Sequence, residues 1–168
     1  LKEIKDNNYK IFILGAGSNT LIRDSGVKGV VIKLGSKFSD IKLLDKDKIE
    51  VGAGTLDKKV SNFAKDKGIK DLEFLSCIPG SIGGAVIMNS GCYGSDISQI
   101  LMSIKVIDDQ GNEKEINSNE IKFSYRGTNI PDNYIILSAV LKGTVSSQKI
   151  IEKIQEELIK KKKETQPS

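Results

Sequence analysis

Histidine and tryptophan are absent from the 168 residues, and arginine occurs only at positions 23 and 126. Without histidine the chain holds no Ser-His-Asp triad, no Cys-His pair and no imidazole metal ligand. Two cysteines, Cys77 and Cys92, are too few for a disulfide framework and lack the spacing of a metal motif. They read as ordinary buried or half-buried thiols, and no metal site is expected. No run approaches the ~20 apolar residues of a membrane span, and the Lys-rich start has no apolar segment behind it. A cytoplasmic protein that does not insert into a membrane is expected. With five phenylalanines and four tyrosines, the core falls to aliphatic side chains. The length suits one domain or two small lobes.

The net charge of +4 comes from lysines spread along the chain. Nucleic-acid binding calls for a clustered basic face with interleaved aromatics. The dense cluster here, Lys160–Lys163, closes an expected helix, where cations suit the dipole and face solvent. No nucleic-acid partner is expected. Lysine serves wherever a plain positive charge suffices, which draws attention to the planar forks of the two arginines.

Apolar runs bounded by turn residues give the coarse order of elements. Ile11–Leu14 and Gly29–Gly35 read as strands, and Ile41–Leu44 with Ile49–Ala53 as a hairpin. A helix follows, with Thr55 as its N-cap, Leu56, Val60, Phe63 and Ala64 on one face, and Gly68 as its stop. Leu101–Ile107 and Glu113–Ile116 flank the turn DDQGN as a second hairpin. SNEIK starts as a capped helical turn, Asn133–Gly143 is a long apolar strand, and an amphipathic helix with Ile150, Ile151, Ile154 and Leu158 on its face ends the pattern. The order is α+β with hairpins, not a strict βαβ alternation.

Two glycine loops carry the chemistry. GAGSNT, Gly15 to Thr20, follows a strand but lacks the third small residue and the downstream acid of a dinucleotide fingerprint. No Walker pattern is present. Gly15 and Gly17 still allow backbone N–H groups to approach an anion, with Ser18 and Asn19 adding short polar side chains. PGSIGG, Pro79 to Gly84, repeats the recipe: a proline-set turn, Ser81, then Gly83 and Gly84 entering an apolar helical turn. Two such loops could grip a pyrophosphate, with Ile82–Met88 and Tyr93 lining a flat ring system. Either loop alone also reads as a structural turn.

These segments resemble a known family. LGAGSNTLIRDSGVKGVVIKL is similar to the first flavin loop of the UDP-N-acetylenolpyruvoylglucosamine reductase family, LGxGSNxLxxDxGxxGxVI. IPGSIGGAVIMNSGCYGSDIS resembles its second signature, IPGxxGGAxxMNxGAYGxE, with Cys92 in place of the usual alanine and Asp96 near the usual acid. FSYRGT, Phe123 to Thr128, resembles F-x-YR-x-S, and KKKKETQPS resembles the stretch that joins the flavin region to a substrate domain.

The resemblance implies an FAD-binding fold of the vanillyl-alcohol-oxidase/PCMH type with two small subdomains. Residues 1–35 would be the remainder of the first subdomain, 36–162 the second, and 163–168 the start of the junction. FAD is the implied cofactor, held by Gly15, Ala16, Gly17, Ser18, Asn19 and Thr20 and by Ile78, Pro79, Gly80, Ser81, Gly83, Gly84, Asn89, Gly91 and Tyr93. NADPH is the implied reductant and UDP-N-acetylglucosamine enolpyruvate the implied substrate, reduced to UDP-N-acetylmuramate for peptidoglycan. Arg126 matches the family's catalytic arginine, with Tyr125 beside it at the substrate. Arg23 has no such match, and a loop salt bridge is expected for it. The family's proton-donating serine has no counterpart before Ser168, and its N-terminal strands have none before Leu1. The chain alone is therefore expected to lack full turnover, and a separately encoded C-terminal substrate domain is a conceivable partner. Alternatives are a non-catalytic FAD-binding fragment or another oxidoreductase of the same flavin fold.

Overall fold

Segments whose side chains alternate between buried and exposed build the largest sheet. The structure, a computed structural model, describes residues 1–165, apart from the side chains of Lys2 and Lys5. Helix α1 (Lys2–Asp6) precedes strands β1 (Ile11–Leu14), β2 (Val30–Lys33), β3 (Ile41–Asp45) and β4 (Lys48–Gly52). Helix α2 (Asp57–Asp66), β5 (Ile69–Lys70), helix α3 (Ile82–Ile87), β6 (Gly91–Cys92) and β7 (Ser95–Asp96) follow. Next come β8 (Leu101–Ile107), β9 (Glu113–Asn117), β10 (Phe123–Ser124), β11 (Gly127–Thr128), β12 (Ile135–Lys142), β13 (Thr144–Val145) and helix α4 (Gln148–Thr165).

Five strands pair antiparallel in the order β3-β4-β12-β8-β9. Central β12 sets Ala139 between Val51 of β4 and Ile104 of β8, and all three are buried. This face, with Ile49, Val106 and Leu141, packs on Val60 and Ala64 of α2 and on Ile82 and Val86 of α3. Both hairpins read from the sequence are present. The second is pinned by Asp108, whose carboxylate accepts the Gln110 and Asn112 backbone N–H groups, each at 2.9 Å. The capped turn is a single 3₁₀ turn, Ser118–Glu120, closed by a capping box from Asn117 to Glu120.

The N-terminal part is different. β1 and β2 form a separate two-stranded parallel sheet, with Ile11 opposite Val30. No described side chain before Ile49 is buried, because two strands without a second layer have nothing to bury against.

Three local expectations need correction. Helix α2 starts at Asp57 with Leu56 in the cap position, not Thr55. Leu56 forms an isolated antiparallel bridge with Ser81, which holds the entry extended and buries Thr55 behind it. In α4 the inward face is Ile151 and Gln155, with Ile154 and Leu158 half-buried, while Ile150 is 53% exposed. Helical geometry places Ile150 one step, roughly 100°, away from Ile151. Arg23 has no ion pair among the described residues. Of the junction read over 163–168, Gln166, Pro167 and Ser168 lie outside the described residues.

Candidate functional site

The two glycine loops, more than sixty positions apart in sequence, meet in space. The hydroxyl of Ser81 lies 2.7 Å from where a Cβ on Gly15 would stand, so a side chain at 15 would have to displace that hydroxyl, and a large one would press on the second loop. Beside this contact the Asn19 amide reaches the Met88 sulfur at 4.0 Å. Residues 15–20 are all exposed, and Gly17 takes φ +82, which lets the first loop turn back.

The second loop is anchored from below by backbone bonds. Ile82 N–H donates to the Thr55 carbonyl at 3.0 Å and Gly83 N–H to the Ala53 carbonyl at 2.9 Å. Those two donors belong to the fold. Bare backbone remains on the open side at Gly84, where a Cβ would meet nothing within 4 Å. Ile82, Ala85 and Val86 plug into the core, whereas Ile87 is exposed and Met88 half-buried. This arrangement resolves the mixture of glycines and aliphatics: one face of a six-residue helix is core and the other is open.

Asp57, which the sequence did not single out, supports the loop. Its N–H donates to the Gly80 carbonyl at 3.1 Å, and its carboxylate stands 2.6 Å from where a Gly80 Cβ would be. A side chain at 80 would have to displace the buried Asp57 carboxylate. The carboxyl group is buried with no hydrogen-bond partner, and this burial pushes its pKa up to about 7. The Thr55 hydroxyl next to it in the chain is likewise buried and unpartnered.

An open cleft of about 600 Å³ begins where the second loop leaves the core. Asn89, Gly91, Tyr125 and Arg126, four of the residues singled out from the sequence, line it. Asn89 ties its walls together. Its Nδ2 donates to the Ser124 carbonyl at 3.3 Å, and its Oδ1 accepts the Ser98 N–H at 3.0 Å. Thr128 Oγ1 donates to the Ile87 carbonyl at 3.3 Å, docking the β10–β11 turn on the second loop. Asn89 at 40° and Arg126 at 60°, both lining the cleft, are two of the five described non-glycine residues with positive φ, and Tyr93 at 55° follows the cleft-lining Cys92 in the chain. Such backbone costs on the order of 1 kcal/mol per residue and clusters at functional sites.

Arg126 caps the β10–β11 turn, exposed, with its guanidinium 5.6 Å from the ring centre of Tyr125. No carboxylate pairs with it among the described residues. Tyr93 is not among the cleft-lining residues. Its ring lies 4.9 Å below the Lys161 ammonium and its hydroxyl 3.3 Å from that of Thr165, so it clasps the end of α4. Cys92, Asp96 and Ser98 also line the cleft; their approach to Arg126 depends on strand pairing between segments that give no local signal. Among the described residues no cluster of His, Cys, Asp or Glu could hold a metal, and no helix is long and apolar enough to cross a membrane.

Known proteins match this architecture. The family model for the FAD binding domain covers residues 1–117. UDP-N-acetylenolpyruvoylglucosamine reductase of Pelagibacter ubique is 48% identical over 159 residues, which are 95% of this chain and 53% of that protein. The enzyme of the same name from Clostridium tetani is 43% identical over 168 residues, 99% of this chain and 54% of that one. The crystal structure of UDP-N-acetylenolpyruvylglucosamine reductase from Thermus caldophilus superposes with a TM-score of 0.87 at 30% identity, covering 99% of this chain and 60% of that one. Fold alone is shared with 6-hydroxy-D-nicotine oxidase from Arthrobacter nicotinovorans, at a TM-score of 0.64 and 14% identity. The chain spans about half the length of the curated relatives it matches. With the α+β fold, the facing glycine loops and the matched family model in agreement, the chain belongs to the family of FAD binding domains.

Proposed function

We propose that this chain is the FAD-binding region of a reductase that converts UDP-N-acetylglucosamine enolpyruvate to UDP-N-acetylmuramate, with NADPH as reductant, in peptidoglycan synthesis. The contact of Gly15 with Ser81, which sets two glycine loops face to face beside a cleft holding Arg126, carries the reading.

The residues present suit the cofactor. Gly17 and Gly84 offer bare backbone with open space in front of it, and Ser18 and Asn19 add exposed polar groups. Neither loop contains a carboxylate, and the one buried beside them, Asp57, is held neutral below about pH 7 by burial. A pyrophosphate would meet dipoles and no fixed negative charge. FAD, when bound, supplies the passage of two electrons from NADPH to the enolpyruvyl double bond.

The chain's own part is binding and electrostatics. Gly15–Thr20 and Ile78–Gly84 hold the cofactor, with Asn89 and Gly91 at its edge and Tyr93 bracing that edge through the end of α4. Arg126, with the paired donors of its planar guanidinium, faces the substrate carboxylate and stabilises the negative charge that builds beside it as the double bond is reduced. Tyr125, 92% exposed, orients the guanidinium and covers the substrate from solvent. Because Arg126 has no carboxylate partner among the described residues, its fork is free to meet an anion in two bonds.

The test uses the whole protein. Purified, it should be yellow; NADPH should bleach the flavin bands without oxygen, and the enolpyruvyl UDP-sugar should restore them. A colourless protein, or bands indifferent to the UDP-sugar, would overturn the proposal.

A further inference from the structure

The two cysteines bracket the second glycine loop: Cys77 stands immediately before Ile78-Pro79-Gly80, and Cys92 follows Gly91. The fold brings these ends together. Cys77 closes the 3₁₀ segment Glu73–Cys77, and β6 packs against that segment, so that Cys92 Sγ donates to the Phe74 carbonyl at 3.5 Å. In a 3₁₀ turn a carbonyl faces the residue three positions later, so the Phe74 carbonyl that Cys92 reaches lies on the Cys77 side of the segment. Both are free; Cys92 is half-buried on the cleft wall, and Cys77 is buried. The Lys162 ammonium donates to the Cys77 carbonyl at 2.8 Å, holding the backbone of that end in place.

We propose that Cys77 and Cys92 form a reversible intramolecular disulfide that closes residues 77–92 into a ring, with a hydroperoxide as oxidant. Cys92, reachable from the cleft, attacks the peroxide oxygen. An S–O bond forms, the O–O bond breaks, and the leaving hydroxide takes up a proton as water. The Cys77 thiol then displaces the second oxygen, also as water, and the S–S bond forms. Two thiols give two electrons and two protons; one hydrogen peroxide gives two waters. Dithiothreitol reverses the bond. Burial and the neighbouring thiol hold Cys92 up at about 11, outweighing Lys162 and Arg126, which act to lower it. Oxidation is therefore slow near neutrality and quickens as the pH rises. That the ring would enclose a cofactor loop rests on the FAD reading; the disulfide itself does not.

The test is equimolar hydrogen peroxide on the reduced chain at mildly alkaline pH, followed by intact mass and non-reducing peptide mapping. The expected result is the loss of two hydrogens, a peptide joining Cys77 to Cys92, and a urea midpoint shifted upward relative to the reduced chain. Cys92→Ala, an alanine that the open cleft wall accommodates, should give no joined peptide. Cys77→Ala should stop Cys92 at a sulfenic acid that dimedone traps. Oxygen added to one cysteine of the wild type without a link, a link only between two chains, unchanged thiols or a lowered midpoint would each overturn the proposal.

Discussion

Arg126 is where composition, backbone and cleft coincide. Its φ of 60° is unfavourable for a side-chain-bearing residue, and its charge has no partner among the described residues. Arg126→Lys keeps the charge and removes the planar fork, so turnover in the whole protein should fall by roughly 10²–10³ with FAD content unchanged. Anaerobic stopped-flow mixing with the UDP-sugar checks this; an unchanged rate removes Arg126 from the reaction. Asp57 gives a pH prediction. Its folded pKa is raised from 3.8 to about 7, so its neutral form is the one the fold tolerates. The associated stability is full below about pH 4 and is lost as pH rises through about 7, a change on the order of 4 kcal/mol. Glu73, also raised by burial, works in the same direction, whereas Asp108, lowered mainly by the Asn112 N–H, works in the opposite one at acid pH. Asp57→Asn should be more stable than the wild type at pH 8 and should converge with it near pH 4 in urea titrations. Arg126 was legible as a rare residue in a recognisable string. Asp57 was not, because its meaning depends on Gly80, which the chain brings over it only on folding.

Among the elements, the longer strands announced themselves as apolar runs between turn residues, the two-residue strands β5, β6, β7 and β13 gave no such signal, and the departures arose where one segment leans on another. Threonine is a good N-cap, yet Thr55 lost that position because the Leu56–Ser81 bridge sets the backbone first. In α4 the apolar pairs Ile150-Ile151 and Ile154-Leu158 did not identify the inward side, since a run of neighbouring isoleucines spans two faces of one turn. Ile151→Ala should cost about 2–5 kcal/mol in unfolding free energy, and Ile150→Ala less than about 0.5 kcal/mol. Comparable losses from both would show that α4 packs through its other face. The loop contact makes its own prediction. Gly15→Val should weaken FAD binding at least tenfold, measured by flavin fluorescence, and Gly15→Ala less so because the Ser81 hydroxyl can rotate. Adding Ser81→Ala should recover part of the Gly15→Ala loss. Additive effects of 15 and 81 would mean that the two loops do not touch.

For the molecule as a whole, burial is uneven. The core lies between the five-stranded sheet and α2, α3 and α4, while β1 and β2 contribute no buried side chain, and Leu21 is 98% exposed. Native-state hydrogen exchange should therefore run much faster in β1 and β2 than in β4, β8 and β12, because local opening there exposes little new apolar surface. Equal protection would mean that the first sheet is covered in solution. The first glycine loop hangs between this lightly packed sheet and the well-packed second loop, so cofactor binding should itself order and protect residues 11–33.

Apolar runs and turn residues were enough to define the hairpins and the α+β class, since these depend on neighbours within a few residues. The family came from the resemblance carried by the two glycine loops and the string around Arg126. The sequence also showed two loops suited to phosphate. It could not show that Gly15 meets Ser81, that Gly83 is held by Ala53 while Gly84 stays open, or that Cys92 returns to the segment that Cys77 closes. Those relations join residues separated by 15 to 66 positions. They are set by tertiary packing, which brings together segments that no local pattern in the chain connects.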